Sequence, residues 1–291
     1  FNYAITSNNF ISKINLASRN QQYPIQFLYG FEFGNYAYFL TLQPNIFEKS
    51  LGPLSSGYIL KTRLIRICKN EELIDQLYTE LTITCFYNNT EYLVARTATF
   101  FASHHKLYVV FENSSKSNQA VLCEFLMARI DEQFIQTRKF CDRWKTNMWD
   151  INIVPELYGE EKKCNQIDEN LLQKDKCGDD VSLINRYVLN KAHELGIQLM
   201  WITNATITSI AAFQPISSNG SSLPVMLTLG TASSSLIRME VNYNSENRFK
   251  LNIKSYTQFP AENGPFLPNP VYEPTSKSFF ALTHHSVVRI P

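Results

Sequence analysis

No run of 18 apolar residues occurs anywhere in the 291-residue chain, so no membrane-spanning helix is expected. Net charge is nearly absent, at +1, which argues against a nucleic-acid partner held by electrostatics. There is no Gly-x-Ser-x-Gly elbow, no phosphate-cradling glycine loop and no Cys-x-x-Cys pair. The adjacent histidines His104-His105 and His284-His285 have no partner at ligand spacing and read as turn residues. His193 reads as a solvated helix residue, and Asp179-Asp180 as an acidic turn without a second catalytic role beside it. No catalytic, metal or cofactor site is expected, and the chain does not read as an enzyme. Phe1 falls inside a strand pattern and Pro291 directly follows one, so the chain reads as a segment of a longer protein.

What is present is a recurring hairpin. Met226–Met239 (MLTLGTASSSLIRM) sets two short apolar runs around residues that tolerate turn geometry. Phe1–Ile14 repeats the pattern around Ser7-Asn8-Asn9, and Phe279–Ile290 repeats it around His284-His285. Looser copies pair Tyr36–Leu42 with Leu64-Ile65-Arg66-Ile67, and Leu107–Glu112 with Val121–Phe125. The second strands begin at about residues 11, 64, 122, 236 and 287, with gaps of roughly 53, 58, 114 and 51. A period near 50 residues built from antiparallel strands suits a β-propeller blade, which buries its faces only against neighbouring blades. A generic antiparallel sandwich also repeats hairpins, but without such a period. The expected class is therefore all-β, a β-propeller.

Further strands are expected at Gln26–Phe33 and Tyr36–Pro44 around Gly34-Asn35, at Tyr78–Tyr87, at Glu91–Ala102 and at Leu251–Phe259, with a loop over 45–61. Residues 127–200 break the pattern. Ile130, Phe134, Arg138 and Cys141 share near-helical spacing among charged residues, so an amphipathic helix is expected there, with a second short one over Leu183–Leu195. This stretch reads as a partly helical insertion pinned by disulfides. Trp144 and Trp149, flanked by Arg143 and Lys145, fit either a binding surface or a staple between the insertion and its core.

Six cysteines (Cys68, Cys85, Cys123, Cys141, Cys164, Cys177) allow fifteen pairings. Four Asn-x-Ser/Thr acceptors lie near predicted turns, at Asn88, Asn113, Asn204 and Asn219. Sequons and even cysteines together favour an oxidising, secretory route.

GFEFGNYAYFLTLQP (Gly30–Pro44), TRLIRIC (Thr62–Cys68), YTELTITC (Tyr78–Cys85), AVLCEF (Ala120–Phe125) and QIDENLLQKDKCG (Gln166–Gly178) resemble the sema domain of plexins, as does the ending FFALTHHSVVRIP. The 16 residues between Cys68 and Cys85 suit plexins better than semaphorins. The resemblance implies a single sema-type domain over 1–291, the last four to five of seven blades, with 127–200 as an insertion within it. It also implies the pairs Cys68–Cys177, Cys85–Cys123 and Cys141–Cys164, and an extracellular receptor region that recognises a semaphorin in cell guidance signalling. Self-association of the receptor is a second partner expectation. Residues 142–163 match the family pattern weakly. The contact expectation falls on Asn165, Gln166, Ile167 and Asp168, in the cysteine-bounded stretch, the alternative being that this loop only caps the insertion. Rival readings are the sema domain of a hepatocyte growth factor receptor-type tyrosine kinase, a semaphorin ligand, and a propeller hydrolase. Phe86–Tyr92 lacks the basic cleavage run that the first would carry, and no acid cluster supports the last.

Overall fold

The computed structural model describes residues 25–49, 58–69, 79–88, 90–112, 119–134, 188–189, 198–215, 223–243, 249–267, 270–273 and 278–290. The chain divides into two compact units, one of residues 1–83 and 128–195 and one of residues 84–127 and 196–291.

In the first unit, β1 (Gln26–Phe33), β2 (Tyr36–Lys49), β3 (Tyr58–Cys68) and β4 (Thr79–Thr82) form an antiparallel meander. Gly34 makes the first turn possible with φ +57°, a conformation that other residues adopt only with strain. Tyr36, Tyr38, Leu40 and Leu42 alternate into the core from β2, as the two-residue period of a strand requires. The predicted loop over 45–61 is shorter than expected. Ladder pairing continues through Pro44↔Leu60 and Asn45↔Ile59, and a register shift between Asn45 and Lys49 absorbs the unequal arm lengths. Gly52, Pro53 and Gly57, which carried the loop signal, lie outside the described residues.

The predicted strand Tyr78–Tyr87 is broken. Ile83 still donates its N–H to the Thr62 carbonyl at 3.1 Å, after which Cys85–Tyr87 leaves to form a separate strand. Helix α1 occupies 127–134, and the expected apolar spacing holds where it is described: Ile130 and Phe134 are both fully buried. Arg138 and Cys141 lie outside the described residues. Where a second helix was expected, Val188–Leu189 instead form strand β10, parallel to β4 through Val188↔Glu80 and Leu189↔Leu81. A two-residue addition to an existing edge is a tertiary choice that local helical spacing does not encode.

Among the described residues the second unit holds three sheets and a hairpin. The hairpin is β5 (Cys85–Tyr87) and β6 (Thr90–Tyr92). The expected strand Glu91–Ala102 is therefore two strands, β6 and β7 (Val94–Phe101), separated at Leu93. Strands β7, β8 (Lys106–Glu112) and β9 (Ala120–Leu126) form a meander that β11 (Gln198–Thr203) completes along β9. β11 thus begins in the last residues of the stretch read as an insertion. Strands β12 (Ile207–Phe213), β13 (Val225–Thr231), β14 (Ser235–Tyr243) and β15 (Phe249–Gln258) form a second four-stranded meander. A three-stranded sheet follows, β16 (Val271–Glu273), β17 (Ser278–Leu282) and β18 (Val287–Ile290). Four of the five predicted hairpins are present, and the fifth, at 1–14, lies outside the described residues.

The β12–β15 sheet shows why blades stack. Val225, Leu227, Leu229, Ile237, Met239 and Val241 line one face and pack on Tyr108, Val110, Ala120 and Leu122 of the neighbouring sheet. A register shift between Ile207 and Ser209 lets Ile207 and Ile210 reach that same face although their spacing is odd. Ala211 and Leu236 point the other way and pack on Phe279, Ala281 and Val288 of the last sheet. One strand serves two cores because its side chains alternate. The fold is all-β with blade-type sheets and, among the described residues, few helical ones.

Candidate ligand-binding site

Recognition on such a scaffold belongs to turns held by the sheets, and the described turns differ in how they are held. The β5–β6 hairpin is fastened at its base. Cys85 is bonded to Cys123 of β9, one of the three expected pairs, and both residues are fully buried. Beside it the buried Tyr92 donates its hydroxyl to Gln119 Oε1 at 3.0 Å. At its tip Asn88 is exposed and holds φ +46°, a left-handed conformation that asparagine tolerates well. Cys141, Cys164 and Cys177 lie outside the described residues, so the other two pairs do as well.

The β13–β14 turn is held by hydroxyls. Ser234, at φ +60°, donates to the Gly264 carbonyl at 2.6 Å, and the Ser235 N–H donates to Thr231 Oγ1 at 3.0 Å. Gln258 Nε2 donates to the Ser233 carbonyl at 2.7 Å, and Ser235 Oγ lies 2.6 Å from the Tyr256 hydroxyl. The serine run that marked the turn in the sequence thus also ties it to β15 and to the 261–265 segment.

Both histidine pairs sit in turns, as their spacing suggested. His104 ends a short 3₁₀ turn between β7 and β8, and His105 closes it with φ +53°. His284 and His285 are exposed between β17 and β18, where Thr283 Oγ1 accepts the N–H groups of His285 and Ser286. Among the described residues no group of three or more His, Cys, Asp or Glu is placed to hold a metal ion. Asn204 is exposed on the β11–β12 turn. Asn113, Asn219 and the proposed contacts Asn165, Gln166, Ile167 and Asp168 lie outside the described residues.

Two buried charged arrangements escaped the sequence reading. In the first unit the Arg66 guanidinium lies between the rings of Tyr36 and Phe134, with Cζ 4.2 and 4.4 Å from their centroids. Asp131 on α1 sits 3.5 Å from Arg66 Nη1 and accepts the Tyr38 hydroxyl at 2.6 Å. Burial pushes the Tyr38 phenol well above its usual range, while Arg66 pulls it down and Asp131 adds to the rise. In the second unit Lys106 Nζ meets Glu124 Oε1 at 3.0 Å, and both side chains are largely buried. Burial lowers Lys106 from its usual range against the raising effect of Glu124. The available signal was a charged residue at a strand position whose neighbours are apolar on every side, as Arg66 is within LIRIC. Arg66 and Glu124 are buried, while Asp131 keeps about a third of its side chain exposed.

Comparison with known proteins agrees with this architecture. Residues 91–267, well over half of the chain, match the Sema domain family. Mouse Plexin-A4 is 27% identical over 139 residues, which cover 42% of this chain and 7% of that protein. The solved structure of the Plexin A4 full extracellular region aligns over 96% of this chain and 28% of its own, with a TM-score of 0.70 and 20% identity. A structure of Drosophila Plexin A in complex with Semaphorin 1b aligns over 93% of this chain and 56% of its own, with a TM-score of 0.61 and 15% identity. The chain thus spans a small part of the length of the plexins it resembles. No described helix is long and apolar enough to cross a membrane. With a family match across residues 91–267, the chain belongs to the Sema domain family.

Proposed function

We propose that this chain is part of the extracellular ligand-binding region of a plexin-type cell-surface receptor and that it recognises a semaphorin. The observation that carries this reading is the alignment of nearly the whole chain with a plexin extracellular region. A plexin bound to a semaphorin among the matched structures supports the partner class. Family membership makes the domain a binding module rather than an enzyme. The extracellular setting fits the Cys85–Cys123 bond and the exposed sequons Asn88 and Asn204.

The contacts proposed are Asn165–Asp168, with Cys68–Cys177 and Cys141–Cys164 closing the stretch around them, and Asn113 and Asn219 as further glycan acceptors. Guidance signalling, location on the outer face of the cell membrane and self-association of the receptor belong to the same proposal.

Surface plasmon resonance tests it: the glycosylated protein, secreted from a eukaryotic host, is passed over a panel of semaphorin ectodomains and one growth factor of the kinase-receptor type. Saturable binding at micromolar or tighter affinity to a semaphorin is expected. Silence across the semaphorins with a response to the growth factor overturns the plexin reading and leaves the fold intact. Ile167→Glu is expected to weaken binding at least tenfold, and unchanged affinity removes Asn165–Asp168 from the interface.

A further inference from the structure

Phe86 is 58% exposed on the three-residue strand β5. Alternation along β5 turns Cys85 inward to its bond with Cys123 and turns Phe86 outward, opposite Glu91. Tyr87 pairs with Thr90, which leaves only residues 88 and 89 between the strands. The acceptor sequence Asn88-Asn89-Thr90 therefore occupies the tip of a two-residue hairpin, directly after the aromatic pair Phe86-Tyr87. Asn88 and Thr90 are both exposed, so the amide and the hydroxyl that the sequon requires are in water.

We propose that Asn88 carries an N-linked glycan whose first N-acetylglucosamine lies on Phe86 and staples the hairpin that holds Cys85. The proposal rests on the secretory part of the function above. The sugar donor is a lipid-diphosphate-linked oligosaccharide. Asn88 Nδ2 bonds to C1 of the sugar and loses one proton, while the bond from C1 to the diphosphate oxygen breaks and the lipid diphosphate leaves. Once attached, the sugar's C–H face meets a ring whose π face is electron-rich, and both surfaces leave water. A glycan two residues from an otherwise uncovered phenylalanine hides that ring and adds a cross-turn contact to a hairpin too short to be stable alone.

Asn204, the other described acceptor, supplies the contrast. The aromatic residue preceding it, Trp201, is partly buried against the core that the β7–β9 and β12–β14 strands share. Trp201 therefore offers a glycan on Asn204 less ring than Phe86 offers one on Asn88.

The test reads the hairpin directly. Cys85 and Cys123 are fully buried, so a phosphine reduces their bond only when the hairpin opens. The initial reduction rate of this bond, resolved by alkylation and peptide mass spectrometry, is compared in the secreted protein and its variants. Phe86→Ala removes the ring. Thr90→Val removes the acceptor sequence while keeping a β-branched strand residue and the left-handed Asn88. Asn88 is expected to be occupied, and Phe86→Ala to speed reduction roughly 3–10-fold in the glycosylated protein. In the Thr90→Val background the same change is expected to alter the rate less than about twofold. Phe86→Trp, which restores a ring, is expected to restore slow reduction, and Asn204→Gln to leave the rate unchanged. Equal acceleration by Phe86→Ala in both backgrounds overturns the staple. An empty Asn88 beside an occupied Asn204 overturns it while sparing the secretory reading. Absence of glycan at both acceptors overturns both.

Discussion

Phe266 Cβ stands 2.5 Å from the point where a Cβ on Gly230 would be built. Gly230 lies on β13 opposite Leu236 of β14, and Phe266 closes over it, within the cluster formed with Ala211, Phe279 and Val288. The Ser209 hydroxyl also stands in the way and can turn aside, but Cβ is the base of the Phe266 side chain, so no rotamer change clears it. Gly230→Ala is expected to destabilise the protein by about 1–3 kcal/mol through overpacking. Urea denaturation measures this, and Phe266→Gly in the same chain, which removes the obstructing Cβ, is expected to make the added cost of Gly230→Ala smaller, giving a non-additive pair.

Tyr38 and Asp131 join the first sheet to α1 by a 2.6 Å hydrogen bond, with Arg66 beside both. Because the folded phenol titrates above its usual value of about 10, the native state holds a proton that the unfolded chain gives up as pH rises past that value. Its contribution is complete below about pH 10 and falls as pH climbs above it. Stability of the native protein is expected to decline more steeply above pH 10 than that of Tyr38→Phe. Parallel alkaline melts of the two proteins decide the point.

Arg66→Lys is expected to cost about 1–2 kcal/mol although charge is kept. A planar guanidinium stacks between Tyr36 and Phe134 and an ammonium cannot. The thermal midpoint, compared with that of Arg66→Met, separates the stacking from the ion pair.

Lys106→Met removes the ammonium that faces the buried Glu124 carboxylate. Loss of roughly 3–5 kcal/mol is expected, since one charge then stays in the interior without that partner. The double change Lys106→Met with Glu124→Leu is expected to recover most of the loss, and chemical denaturation of all four proteins gives the coupling.

Replacing Cys85 and Cys123 together by serine opens a loop with a sequence separation of 38 residues. A loss of about 2–4 kcal/mol is expected from the freed denatured chain. A wild-type protein whose thermal midpoint does not fall on reduction would contradict it.

Much of this architecture is legible in residue order alone. The apolar alternation of Tyr36–Leu42 and Met226–Met239 sets which faces are buried, because a strand repeats every two residues whatever lies beside it. The Gly34-Asn35, Ser233-Ser234 and His284-His285 turns are equally local, since turn geometry is limited by the residues that can adopt it. Ile130 and Phe134 announce their helix face by spacing. The Cys85–Cys123 pair came from likeness to a family; among six cysteines, spacing alone left fifteen pairings open. Tertiary structure decided the rest. Val188–Leu189 became a strand because β4 offered an edge, and Asn45 stayed in β2, beyond the expected end at Pro44, because β3 paired with it. The burial of Arg66 and of Lys106 depends on Asp131 and Glu124, each brought within reach by folding. Periodicity is carried by neighbours in sequence, whereas the partner of an edge or a buried charge is set by segments that meet only when the chain folds.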